Sequence, residues 1–247
     1  AVACALGLAD RLDTLVGIFG IGQPPTGSKD PFALRRASLA VLRIIVEKEI
    51  DLDLRECLQL AQDGYPDGVI ADGTTGEVFD YMVERFHAWY EEEDIPVEVF
   101  RAVSACQLGR PLDIHHRVLA VHAFTQLPES QALAAANKRV SNILGKLEDG
   151  HEFGRVSSDL LGEPQEISFA EPLEALSAEA KALLEKRAYR EALAVLAGLR
   201  DAVDAFFDGV MVNTDDEKLR DNRLNLLKSL RDLFLQIADI SQLAVSK

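Results

Sequence analysis

Apolar residues recur at three- and four-residue intervals through almost every stretch of this 247-residue chain, and apolar–polar alternation is nowhere sustained. That periodicity suits helices packed on helices and offers a sheet nothing to build on. The fold class expected is therefore all-α, a helical bundle. Asp30-Pro31 is a start signal, because Asp caps free N–H groups and Pro at the first helical position loses no needed donor. Phe32, Leu34, Leu39, Leu42, Ile45 and Val46 follow at helical spacing to about Glu47. Asp51 or Asp53 opens a short helix to about Gln62, and Asp63–Thr75, with Pro66 and several Gly, reads as a linker. A helix over Val78–Tyr90 ends in the run Glu91–Asp94, expected to be a solvated turn. Shorter helices follow Pro96 and Pro111, Pro128 begins another, and Gly145–Glu171 reads as loop-rich. From Pro172 onward three helices are expected, near Leu173–Arg187, Tyr189–Asp208 and Asp216–Ala238.

Hydrophobic residues make up 48% of the chain and charged residues 27%, which fits a globular protein rather than a disordered one. No apolar run approaches the roughly 18 residues of a membrane span. The apolar opening is interrupted by Asp10, Arg11 and Asp13 and lacks the basic leader of a signal peptide, so a cytoplasmic location without membrane association is expected. Ala1 sits mid-pattern with no initiator Met, which suggests a piece of a longer chain. Cys4, Cys57 and Cys106 are widely spaced and read as buried reduced thiols.

A net charge of −15 argues against nonspecific nucleic-acid binding by the whole surface, yet the cations are not evenly spread. Arg110, Arg117, Lys138, Arg139 and Lys146 stand against only Asp113 and Glu129. Further on, Lys218, Arg220, Arg223, Lys228 and Arg231 stand against Glu217 and Asp221. At helical spacing Leu133, Ala136, Val140, Ile143, Leu144 and Leu147 gather on one side, while Lys138, Arg139, Asn142 and Lys146 share an arc of roughly 100° on the other. Such a face suits phosphates and base edges, although spacing alone favours an ordinary solvated face. Asn137 falls nearer the core side and reads as a cap or bridge between helices. In the last long helix Leu219, Leu226, Leu230, Leu233 and Ile237 make a core stripe, with Arg220, Arg223, Lys228 and Arg231 beside it. The candidate RNA-binding residues are Arg117, Lys138, Arg139, Asn142, Lys146, Arg220 and Arg223.

Other constellations give less. His115 and His122 share a helix face, but no acidic or Cys residue stands three or four positions away to complete a metal site. The segment Gln23–Pro31 lacks the spacing of a phosphate loop and reads as a stiff connection. No catalytic nucleophile motif is present, so no catalytic residue, metal or cofactor is assigned to this chain.

The words AANKRVSNIL at Ala135–Leu144, VDAFFDGVMVN at Val203–Asn213 and LRDNRLNLLKSLRDLFLQIADIS at Leu219–Ser241 resemble the anticodon-binding domain of the bacterial two-subunit glycyl-tRNA synthetase beta subunit. LADRLDTLVGIFGIGQPPTGSKDPFALRRASLAVLRII at Leu8–Ile45 resembles the region just upstream in the same family. The resemblance implies residues 1–74 as the helical end of an HD-like domain with a linker, and residues 75–247 as the anticodon-binding domain. It makes Lys29, Arg35 and Arg36 further, weaker candidates for RNA or interdomain contact. Ala9-Asp10-Arg11-Leu12 looks like the last ligand region of an HD-type phosphohydrolase, but the His-Asp pair of such enzymes is missing. The resemblance also implies tRNA-Gly as ligand and an alpha subunit as partner, in an assembly of two alpha and two beta subunits. ATP and Mg would be handled by the alpha subunit. A helical protein-interaction scaffold that binds no RNA is the alternative.

Overall fold

The computed structural model describes residues 2–147 and 151–244. Among them are eleven α-helices and no strand: α1 Val2–Gly20, α2 Leu34–Glu47, α3 Leu54–Gln62, α4 Thr74–Glu92, α5 Val97–Ser104, α6 Pro111–Thr125, α7 Ser130–Leu144, α8 Pro164–Leu184, α9 Tyr189–Ala197, α10 Arg200–Gly209 and α11 Glu217–Leu235. Short 3-10 turns occupy Ser158–Leu160 and Ile240–Leu243. The all-α expectation holds. Residues 148–150 of the expected loop lie outside the described residues. No described helix is long and apolar enough to cross a membrane.

Contacts divide the chain into two compact units, Ala1–Phe100 with Gln107–His116, and Arg101–Cys106 with Arg117–Lys247. In the first, α1, α2, α3 and α4 pack on one another. Their shared core holds Leu12, Leu15, Leu42, Ile45, Leu58, Met82 and Phe86. The contact division therefore does not fall at residue 75, because α4 packs with the three helices before it. The 63–73 stretch is also no loose tether. Tyr65 Oη donates to the Asp13 carbonyl at 3.0 Å, and the Ala71 N–H donates to the Gly20 carbonyl at 3.2 Å.

Helix ends explain several departures from the expected boundaries. Pro31 does not begin α2: the chain turns once more, Ala33 adopts φ 57°, and the Asp30 carboxylate accepts from Leu34 and Arg35 N–H at 2.8 and 3.1 Å. Asp53 caps α3, accepting from Arg55 N–H at 2.9 Å. The α4 helix runs through Glu92, so the acidic run is partly helical. Four helices close with a paired 6→1 and 5→2 bond around a left-handed residue. After α1 that residue is Gly22, but after α2, α4 and α8 it is Glu49, Asp94 and Arg187.

In the second unit α7 packs on α10, α11 and the Ile240–Leu243 turn, and α8 packs on α9, α10 and α11. The buried residues of α11, among them Leu224, Leu226, Leu227, Leu230, Leu233 and Phe234, cover most of its circumference, which makes it the central helix. Pro172 does not start a helix. It lies inside α8, whose start is fixed eight residues earlier by a reciprocal capping box between Glu163 and Glu166. An interior proline costs about 3 kcal/mol, and the buried Phe169 and Leu173 on either side offset it through core packing. The expected Tyr189–Asp208 helix is broken in two at Gly198-Leu199.

Gly20 gives a direct test of the first unit. A Cβ there would stand 2.5 and 2.9 Å from Ile70 Cδ1 and Cγ2 and 3.2 Å from Ile70 Cα. Gly→Ala inside a helix ordinarily gains about 1 kcal/mol; this clash, which includes backbone, outweighs it. Gly20→Ala is expected to lower stability by about 1–3 kcal/mol in denaturant titration.

Candidate nucleic-acid interface

The α7 helix sorts its residues as its sequence demands. Leu133, Ala134, Ala136 and Val140 are buried, while Lys138, Arg139 and Asn142 are exposed, as is Lys146 just beyond the Gly145 cap. Asn137 is 2% exposed and donates to the Leu133 carbonyl at 3.0 Å. It is thus a core residue bonded to its own helix rather than a bridge between helices. None of Lys138, Arg139 and Lys146 is paired with a carboxylate among the described residues. The Arg139 guanidinium lies 4.2 Å from the Phe207 ring centre, and the ring itself packs edge-on against buried Phe206.

Arg139, Ile143 and Lys146 form one wall of a cleft of about 410 Å³, and Val210, Met211 and Asn213 form the other. That second wall is the stretch following α10, extended at Val210 and bent at Val212 and Asn213. Val210 and Val212 point inward and are buried, whereas Met211 and Asn213 point outward. Met211 is left 74% exposed, the second most exposed of the large apolar side chains after Val2.

Arg223 corrects the sequence expectation. It is 7% exposed and faces inward, its Nε donating to Glu166 Oε1 at 2.6 Å and its Nη1 to the Met211 carbonyl at 2.9 Å. The other Glu166 oxygen accepts from Gly162 and Glu163 N–H at 2.9 and 2.8 Å. Burial pushes the Glu166 carboxyl upward, but the Arg223 bond, the two amides and the Arg223 charge together hold it below the ordinary range. Arg223 is therefore consumed by the fold, as a strut behind the cleft wall. Its burial follows from α11 being enclosed on nearly all sides, which a single core stripe does not anticipate.

Arg117 is likewise engaged. Its Nη1 donates to the carbonyls of Gln236 and Ile237 at 2.5 and 2.9 Å, and its guanidinium lies 4.4 Å from the Tyr189 ring centre. It closes the C-terminal end of α11. Arg220 makes only long contacts, 3.9 Å each to exposed Glu217 and half-exposed Asp221, and such pairs are worth little. Arg220 does not line the cleft. The expected cation stripe on α11 is thus broken up, since Lys228 also pairs with Asp232. In the first unit Arg35, on the first turn of α2, holds the Gly27 carbonyl of the preceding loop, while Lys29 and Arg36 are exposed.

The α11 helix also pins the loop before α8. Asn222 Oδ1 accepts from Ser157 N–H at 2.7 Å and its Nδ2 donates to the Ser157 carbonyl at 3.0 Å. Asn225 Oδ1 accepts from Gly154 N–H at 2.9 Å. These two paired amides, with Arg223 on Glu166, account for the three buried polar residues of α11. His115 bonds through Nδ1 to Tyr90 Oη at 3.0 Å and stacks beside Trp89. Among the described residues no group of three His, Cys, Asp or Glu side chains is placed to hold a metal ion. The three thiols are unpaired and half-buried rather than fully enclosed.

Residues 1–105 match a family model described as glycyl-tRNA synthetase beta subunit, and residues 133–243 match one described as DALR anticodon binding domain. The glycine–tRNA ligase beta subunit of Chromohalobacter salexigens is 55% identical over 240 residues, 97% of this chain and 35% of that protein. That of Hahella chejuensis is 52% identical over 240 residues, 97% of this chain and 34% of the relative. The Pseudomonas aeruginosa protein is 52% identical over 239 residues, with 97% and 35% covered. The chain spans about a third of the length of the curated relatives it matches.

Removing one partner of a buried ion pair strands the other charge. Glu166→Gln is expected to cost about 3–5 kcal/mol in urea unfolding. The pair also sets a pH limit. Because the folded carboxyl titrates lower than the unfolded one, its contribution is complete above the ordinary Glu range of about 4.3 and is lost as pH falls through the depressed value. Acid unfolding of Glu166→Gln should lack that part of the pH dependence.

Proposed function

The chain belongs to the glycyl-tRNA synthetase beta-subunit family, and we propose that its second unit grips tRNA-Gly at the anticodon loop. The observation that carries this reading is the exposed row Lys138, Arg139, Asn142 and Lys146 on α7, within the stretch that matches the anticodon-binding model. Cations without carboxylate partners attract phosphates, and an exposed amide suits a base edge. The net charge of −15 does not oppose local binding, since charges more than about 8 Å away are largely screened at physiological salt. Single-stranded loops are the natural ligand for such a face, because their unstacked bases come within reach of side chains.

In the complete enzyme this segment supplies binding energy and discrimination, not bond chemistry. An alpha subunit carries the ATP- and Mg-dependent aminoacylation site, in a cytoplasmic assembly of two alpha and two beta subunits. Arg220 remains a secondary contact, while Arg117 and Arg223 act through the fold.

Filter binding with tRNA-Gly and a non-cognate tRNA over a salt series tests the grip. Lys138→Ala with Lys146→Ala should lower the log–log salt slope by about 1.4 to 1.8, the value for two released counterions. Asn142→Ala should leave the slope alone and weaken cognate binding by about 1–3 kcal/mol. Unchanged affinity and slope in the double variant would make this an ordinary solvated face, and the interaction-scaffold reading would replace the RNA one.

A further inference from the structure

The cleft beside α7 has features that phosphate binding does not require. Arg139 lies 4.2 Å from the Phe207 ring, so its guanidinium is presented as an oriented plane, a geometry suited to stacking on a flat partner. The facing wall presents Met211, a large apolar side chain 74% exposed to water, where a cation or hydroxyl would serve a phosphate better. That side chain is not exposed by looseness. Val210 and Val212 anchor the wall on either side, and Arg223 bonds the Met211 carbonyl from within. Asn213, next outward on the same wall, brings an amide able to donate and accept. A guanidinium plane backed by a ring, a polarisable thioether opposite and an amide at the rim together match the flat faces and polar edge of a nucleobase.

We infer that this cleft takes a single unstacked base of the RNA loop, stacked on Arg139 against Met211 with its edge towards Asn213. The inference rests on the tRNA grip proposed above and assigns Arg139 to stacking, leaving the neighbouring lysines to the phosphates.

Arg139→Lys separates the two roles, because it keeps the charge and removes the plane. With tRNA-Gly, Arg139→Lys and Met211→Ala should each weaken binding by roughly five- to fiftyfold with the salt slope unchanged. Circular dichroism confirms folding, and the exposure of both side chains makes its loss unexpected. A second measurement finds the base itself. Anticodon stem-loops with an abasic residue placed at each loop position in turn should include one that loses the same factor, and against that RNA Arg139→Lys should cost nothing further. If Arg139→Lys and Met211→Ala bind like the parent while Lys138→Ala with Lys146→Ala still lowers the slope, the grip stands and the base site is wrong. If Arg139→Lys binds like the parent while Arg139→Ala lowers the slope by about 0.7 to 0.9, Arg139 is a phosphate contact and the assignment is overturned. Should the lysine double variant also be silent, grip and base site fail together.

Discussion

The Glu166–Arg223 pair is the contact on which the second unit turns. One carboxylate caps the start of α8 through two amides and neutralises a buried guanidinium, which in turn holds the carbonyl of Met211. Burying a charge is costly unless every donor and acceptor around it is matched. Here the matching joins three separate segments: the turn before α8, the stretch after α10 and the first half of α11. The outer surface of the cleft is shaped by that inner arrangement. The exposed residues face RNA in the proposed function, and the buried pair fixes the backbone of one of them, Met211.

Much of the architecture was legible in the amino-acid sequence, because helical periodicity dominates and competing signals are weak. Asp53 capped the helix it announced, and the split of α7 into an apolar side and a cationic side followed directly from its spacing. Other features were not legible, for identifiable reasons. Pro172 looked like a boundary because a proline usually ends or begins a helix, but the Glu163–Glu166 capping box had already fixed the start. Asp30 capped α2 from further away than expected, since a residue in the left-handed region stood between them.

The site itself was read in halves. Lys138, Arg139, Asn142 and Lys146 came from one helix, where a periodic rule applies. Met211 and Asn213 came from a four-residue alternation, too short to rise above chance. Their position opposite α7 depends on long-range packing that no local pattern records. Arg223 was misjudged for a related reason. Two turns of α11 look amphipathic when read alone, yet helices and loops surround it, so an arginine beside its leucines faces a glutamate rather than solvent. Phe207, within the quoted words but without an assigned role, turned out to orient Arg139.

The helix closures carry one further implication. At the end of α1 the left-handed position is filled by Gly22, whose missing Cβ makes that backbone region accessible without strain. Glu49, Asp94 and Arg187 fill the same position after α2, α4 and α8, at a steric cost of about 1–2 kcal/mol for Glu49 and Arg187 and less for Asp94, whose short side chain tolerates that region. The fold tolerates all three, so its native state carries an untapped margin. Part of the stability that glycine would supply at these three helix ends is forgone.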